Sequence, residues 1–217
     1  MNKLISVQDA VDKVKDGMTL MIGGFLGVGT PESIIDALVA KNVKNLTIIA
    51  NDTSFVDKGL GKLIANNQVK KVVASHIGTN KETGRQMNEG QMLVDLVPQG
   101  TLAEQVRAGG AGLGGVLTPI GIGTVVEDGK QKIEVDGKTF LLEKPLRADV
   151  ALIFGTRVDK KGNAFHNATT RNFNPLMAMA ADTVIIEAET LVEVGEIDPH
   201  HVMTPGIFVD YIVGGEK

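Results

Sequence analysis

Along the chain, short uncharged apolar runs alternate with segments in which apolar residues recur every three or four positions. Val7, Ala10, Val11 and Val14 follow Ser6, with Asp9 three residues beyond it, which predicts a capped helix that Asp16-Gly17 ends. Met18 to Ile22 carries no charge and lies between glycines, as a strand buried on both faces would. Thr30-Pro31 is a helix start, a capping hydroxyl before a proline, and Ile34, Ile35, Leu38 and Val39 form the buried stripe. Leu46 to Ala50, Lys70 to Ser75 and Met92 to Val97 read as further strands. Leu60 to Asn66 and Thr101 to Ala108 read as helices beside them. Regular alternation of this kind predicts right-handed βαβ units and an open, mostly parallel sheet flanked by helices.

The rhythm changes near residues 115–145. Lys132 to Glu143 alternates around Asp136-Gly137, a hairpin signal, which predicts a small β excursion. The α/β pattern then returns with strands over Asp149 to Phe154 and Thr183 to Ala188. Between them a helix is expected from Pro175 to Ala181, capped by Asn174. With no tandem repeat, low-complexity tract or Ser/Pro linker, residues 1–217 are expected to form one domain.

Composition removes several functions. A net charge of −4 argues against a nucleic-acid-binding face, and aromatic residues at 4% leave few platforms on which bases could stack. Having no cysteine excludes disulfides, thiolate zinc sites and a cysteine nucleophile, and it suits a reducing, cytoplasmic setting. Charges interrupt Met1 to Val14, where a signal peptide would hold an apolar stretch of about 7–15 residues. Ala108 to Val126 is uncharged, but its seven glycines and Pro119 make it loop and turn, not a membrane span. No spacing of His and Glu residues marks a metal site.

The chemistry gathers at the first βα junction, Gly23-Gly24-Phe25-Leu26-Gly27-Val28-Gly29, followed by Thr30-Pro31. A strand entering a glycine-rich loop and then a helix sets backbone amides at the carboxyl edge of a parallel sheet, where α/β proteins hold anions and cofactors. The phosphate-loop motif fails for want of a Lys, and the dinucleotide fingerprint fails because Glu32 stands where its third glycine belongs. A plain tight turn accounts for the glycines equally well at this level.

Five further blocks stand in order behind this loop: Ile49-Ala50-Asn51-Asp52, Val97-Pro98-Gln99-Gly100-Thr101-Leu102, Arg107-Ala108-Gly109-Gly110-Ala111-Gly112, Thr118-Pro119 and Arg171-Asn172-Phe173-Asn174-Pro175. Together with Gly-Gly-Phe-x-x-x-Gly-x-Pro they resemble, nearly end to end, the alpha subunits of class I CoA-transferases acting on acetate, butyrate and acetoacetate. The chain is similar as well to the matching half of succinyl-CoA:3-ketoacid CoA-transferases. The resemblance implies ping-pong transfer through a glutamyl-CoA thioester, on a Glu that a beta subunit carries in a Ser-Glu-Asn-Gly context. That context is missing here; Asn88-Glu89-Gly90 imitates it weakly, and a solvated Glu89 in a surface turn is expected.

By resemblance, residues Gly23 to Gly29 bind CoA, and Gln99 donates to the oxyanion. The alternative for Gln99 is a helix cap or a turn contact. Phe25 either walls the acyl or pantetheine region or packs the sheet edge. Asn51 either touches substrate or makes an Asx turn with Asp52. Arg171 is expected to pair with an acid at a subunit contact, and His200-His201 to sit in a polar turn. The implied partners are a beta subunit in an α2β2 assembly, an acyl-CoA and a short-chain carboxylate. No resident cofactor, nucleic acid or membrane is implied, since CoA enters as a thioester substrate. Two rivals remain at this stage: a non-catalytic anion- or CoA-binding module, and a sugar-phosphate isomerase of related fold using Asp52 and His76 as acid and base.

Overall fold

The computed structural model describes residues 2–214; Met1 and residues 215–217, the ends of the span expected as one domain, lie outside the described residues. Ser6 opens α1 (Val7–Val11) with the expected capping box, its Oγ accepting the Asp9 N–H at 3.0 Å. Next come β1 (Thr19–Ile22), α2 (Glu32–Lys41), β2 (Leu46–Ile49), α3 (Gly61–Ala65) and β3 (Val69–Ala74), all near their expected bounds. Helix α4 (Lys81–Asn88) escapes the apolar periodicity because Thr83 and Gln86 are the residues it buries; Asn80 caps it. Strand β4 (Leu93–Leu96) leads into α5 (Gln99–Gly110), which starts before Thr101.

The excursion is a three-stranded antiparallel sheet of β5 (Val116–Thr118), β6 (Lys132–Val135) and β7 (Lys138–Glu143), in the order β5-β7-β6. Its hairpin turns on Asp136 (φ 49°) and Gly137 (φ 72°), both left-handed as a two-residue turn between twisted strands requires. The chain ends with β8 (Ala148–Asp159), β9 (Ala164–Phe165), α6 (Asn174–Met177), β10 (Ala181–Val192) and β11 (Tyr211–Gly214). No helix among the described residues is long and apolar enough to cross a membrane.

The main sheet runs β11-β10-β8-β1-β2-β3-β4, parallel throughout, with β9 added antiparallel to β8. The uncharged runs are explained by burial on both faces. Leu20, Ile22, Ile48, Val72 and Leu152 face α1, α2 and α3, while Met21, Ile49, Val73, Ala151 and Ile153 face α5 and α6. From β1 the chain winds outward through β2, β3 and β4; the later strands β8, β10 and β11 fill the other side. The β1/β8 boundary is therefore the switch point at which open α/β sheets leave a crevice beyond the strand ends.

Two local expectations are corrected. Thr30 does not cap α2; the carboxylate of Glu187, from β10, accepts the Ser33 and Ile34 N–H groups at 3.1 Å and so caps the helix from across the sheet. Asn174 is not an N-cap either. It is the first residue of a four-residue helix preceded by Phe173, and the expected helix stops well before Ala181, which already belongs to β10.

Candidate active site

The glycine loop leaves β1 at the switch point and folds on itself. Phe25 and Val28 exchange both backbone hydrogen bonds (3.0 and 2.9 Å) around Leu26 (φ 50°) and Gly27 (φ 81°). Leucine in this left-handed conformation is held by Asp52: the Leu26 N–H donates to Asp52 Oδ2 at 3.0 Å, and Asp52 Oδ1 accepts the Ser54 N–H at 2.6 Å. Burial pushes the Asp52 carboxyl above its usual range, an effect these two backbone donors oppose without cancelling. With both oxygens engaged, Asp52 serves as a clamp on the loop, which removes the acid/base that the isomerase reading needs. His76, its proposed partner, is exposed.

Counting donors narrows the loop's role. The Gly23 N–H is taken by Leu152 O, Gly24 by Asn172 Oδ1 and Leu26 by Asp52; Phe25 and Val28 satisfy each other. Gly27 and Gly29 are left as loop amides with no acceptor among the described residues. Several of the glycines answer to the protein itself: a Cβ on Gly23 would stand 1.8 Å from Asn174 Oδ1, and one on Gly29 2.8 Å from Thr170 O. Phe25 is 44% exposed and does not pack the sheet edge within this chain.

The segment pressing on the loop comes from the long β8, which together with β10 overruns β1, turns through β9 and returns over the crevice. The Asn172 side chain also donates to Val28 O at 3.1 Å. The buried Asn174 amide accepts the Phe154 N–H at 3.0 Å and donates to Gly29 O (3.0 Å) and Thr170 O (2.7 Å). Sequence reasoning missed these two residues as loop supports, since their targets lie some 145 residues away. Arg171, between β9 and α6, is exposed and makes no ion pair among the described residues. His200 and His201 lie in the expected exposed turn, and Glu89 pairs with Arg85 on the surface of α4.

Beside the loop, the next three strand ends contribute in order. Asn51 follows β2; it is 4% exposed, its Oδ1 lacks a partner, and the Asx turn there belongs to Asp52. Thr53 Oγ1 and Ser54 Oγ, just beyond it, are likewise buried without partners among the described residues. Ser75 follows β3 and Gln99 follows β4, and their side chains meet. Gln99 does not cap α5. The Ser75 hydroxyl has one proton and two acceptors in reach, Gln99 Oε1 and the Asn51 carbonyl at 2.7 Å, and that carbonyl already receives the Ser75 N–H at 3.0 Å. Donated to Gln99 Oε1, that proton leaves the Gln99 NH2 group free to face the crevice. The edge thus presents neutral donors, and its one carboxylate among the described residues, Asp52, has both oxygens engaged. Among the described residues no group of three His, Asp or Glu side chains could hold a metal ion.

His166, which follows β9, is buried, with Nε2 2.8 Å from Thr204 Oγ1. Burial pushes its imidazole down to about 4, reinforced by the charge of Arg171 and opposed by the Phe154 backbone. Below the unfolded value of about 6.5, the unfolded chain takes a proton that the folded one refuses. Stability therefore falls as pH drops from about 6.5 towards 4, by about 3 kcal/mol from this group. Urea titrations at pH 7 and pH 4.5 should show that drop in the native chain and its reduction in His166→Gln; parallel losses in both would refute the assignment.

The coenzyme A transferase family profile matches residues 4–215. The chain is 59% identical to "Acetate CoA-transferase subunit alpha" of Escherichia coli K12 over 99% of this chain and 98% of that protein. It is 56% identical to the "Acetoacetyl-CoA:acetate/butyrate CoA transferase alpha subunit" of Clostridium acetobutylicum, over 98% and 97%. Among solved structures, an acyl-CoA transferase from Escherichia coli O157:H7, in a thioester complex with CoA, superposes with a TM-score of 0.87 at 26% identity. The match covers 98% of this chain and 47% of that one, so this chain spans about half of the larger protein. Glutaconate coenzyme A-transferase from Acidaminococcus fermentans shares the fold (TM-score 0.86, 19% identity, 97% of this chain and 75% of that one).

Proposed function

Because this chain belongs to the coenzyme A transferase family, we propose that it is the alpha subunit of an enzyme moving CoA between short-chain carboxylates, with acetate, butyrate and acetoacetate as the substrate class. One observation of length carries the reading: the chain covers 98% of an alpha subunit yet 47% of the longer acyl-CoA transferase chain. It is half of an enzyme, and a beta chain supplies the rest, in an α2β2 assembly of the cytoplasm. The residues 1–217 act as one domain of that assembly, and CoA enters as a thioester with no resident cofactor.

The division of labour follows from the donors at the crevice. A Glu carboxylate of the beta chain attacks the acyl-CoA carbonyl and expels the CoA thiolate, giving an acyl-glutamyl anhydride. The thiolate then attacks the glutamyl carbonyl and releases the acyl carboxylate, leaving a glutamyl-CoA thioester that a second carboxylate resolves by the reverse steps. Each addition places negative charge on a carbonyl oxygen. The free NH2 of Gln99 is the group on this chain suited to receive it. Gly27 and Gly29 offer amides to the thioester arm, Phe25 an exposed apolar wall, and Asn51 an unpartnered polar side chain on the same edge. A second chain closing over this edge keeps water from the anhydride.

The test is to purify the alpha and beta chains separately, assay each, and assay the mixture. Turnover is expected in the mixture alone, with hydroxylamine trapping a thioester on the beta chain. Full turnover by this chain by itself would overturn the reading.

A further inference from the structure

Next to Gln99 in the chain, a cavity of about 480 Å³ opens between the first turns of α5 and the small antiparallel sheet. Its size is that of a small-molecule site. Gly100, Thr101 and Glu104 form one wall, and Val116, Leu117, Thr118 and Ile120 the other, with Thr118 Oγ1 accepting the Ile120 N–H at 3.2 Å. Leu117 and Ile120 are exposed within the chain, so the apolar wall is open to a ligand. Thr101 is 4% exposed and its Oγ1 has no hydrogen-bond partner among the described residues.

We infer that this cavity receives the tail of the transferred acyl group and that Thr101 donates a hydrogen bond to a 3-oxo oxygen on that tail. The inference rests on the CoA-transfer reading above and adds to it the subsite that selects the acyl chain. Strand order supplies the direction. With the carbonyl at Gln99 after β4 and the thioester arm at the loop after β1, the two substituents of the carbonyl carbon point to opposite ends of the edge β1-β2-β3-β4. The tail then enters the wall formed by the residues immediately after Gln99. Three aliphatic side chains there favour a short hydrocarbon tail. The Glu104 carboxylate, paired with Arg107 at 2.7 Å, offers nothing to a terminal carboxylate, so neutral tails are preferred over dicarboxylic ones. A hydroxyl buried without a partner is costly, and no protein oxygen relieves Thr101; a keto oxygen on the ligand would.

The test uses the assembled alpha–beta complex with acetate as acceptor, comparing kcat/KM for acetoacetyl-CoA and butyryl-CoA. In Thr101→Val, which keeps the shape and removes the donor, the acetoacetyl/butyryl ratio should fall about 10- to 100-fold, mainly through acetoacetyl-CoA. Thr101→Ser should keep the native ratio, which separates the hydroxyl from packing. Leu117→Phe, narrowing the cavity, should lower butyryl-CoA relative to acetyl-CoA. An unchanged ratio in Thr101→Val, or equal losses for both thioesters, overturns this inference while leaving the transferase reading intact. A native complex that transfers no CoA would overturn both.

Discussion

Complexes carrying Gln99→Ala are expected to assemble normally and to turn over about 100- to 1,000-fold more slowly, with little change in KM for the acyl-CoA. The side chain is exposed at the start of α5 and its one hydrogen bond among the described residues is with Ser75, so its removal costs the fold little. What disappears is a donor aimed at charge that develops during each addition, worth about 3–4 kcal/mol where water is excluded. Gln99→Glu should be at least as slow, because a carboxylate cannot donate and repels the oxyanion. Steady-state kinetics of the reconstituted complex decide the matter. A loss below about threefold, or one confined to KM, would make Gln99 a surface residue that happens to lie beside the crevice.

Parts of this architecture are legible in sequence because their causes are local. Met18–Ile22 and Leu46–Ala50 read as strands since burial on both faces leaves no place for charge, and Asp136-Gly137 carries its own left-handed preference. Helix α4 is illegible by the same logic: its Lys-Glu-Thr-Gly-Arg-Gln-Met-Asn sequence buries polar side chains and shows no stripe. The overhang of β8 and β10 is hidden because Arg157, Asp159 and Glu189 interrupt the apolar pattern where the strands leave the core. At the site, the glycine loop announces itself, and Asn51 after β2 and Gln99 after β4 fall on the same sheet edge, two strands apart. Which amides the loop still offers is another matter. That depends on Asn172, and on an Asn174 whose place before Pro175 imitates a local cap, while its real partners come from the far end of the chain.

That misread asparagine carries the largest expected effect on stability. Asn174 is fully buried, and its amide accepts one hydrogen bond from Phe154 and makes one each to Gly29 and Thr170. Asn174→Ala leaves the half-buried Phe154 N–H and Gly29 carbonyl without a partner, while Thr170 O keeps the Asn172 side chain at 3.2 Å; each stranded group costs about 1–3 kcal/mol where water cannot replace the partner. A total near 4 kcal/mol is expected, against a stability of about 5–15 kcal/mol for a typical domain. The melting temperature should fall by about 8–16 °C. Packing alone could produce a loss of that size, so the sharper test couples this site to Gly23, where a Cβ would stand 1.8 Å from the Asn174 side-chain oxygen. In the native background Gly23→Ala should be severely destabilising. Once Asn174→Ala has vacated the space, the same methyl group should cost much less, so the double variant is more stable than the sum of the two losses predicts. Urea denaturation of the four proteins measures that coupling directly. Strict additivity would mean that the loop does not lean on Asn174, and that the glycine at position 23 has some other cause.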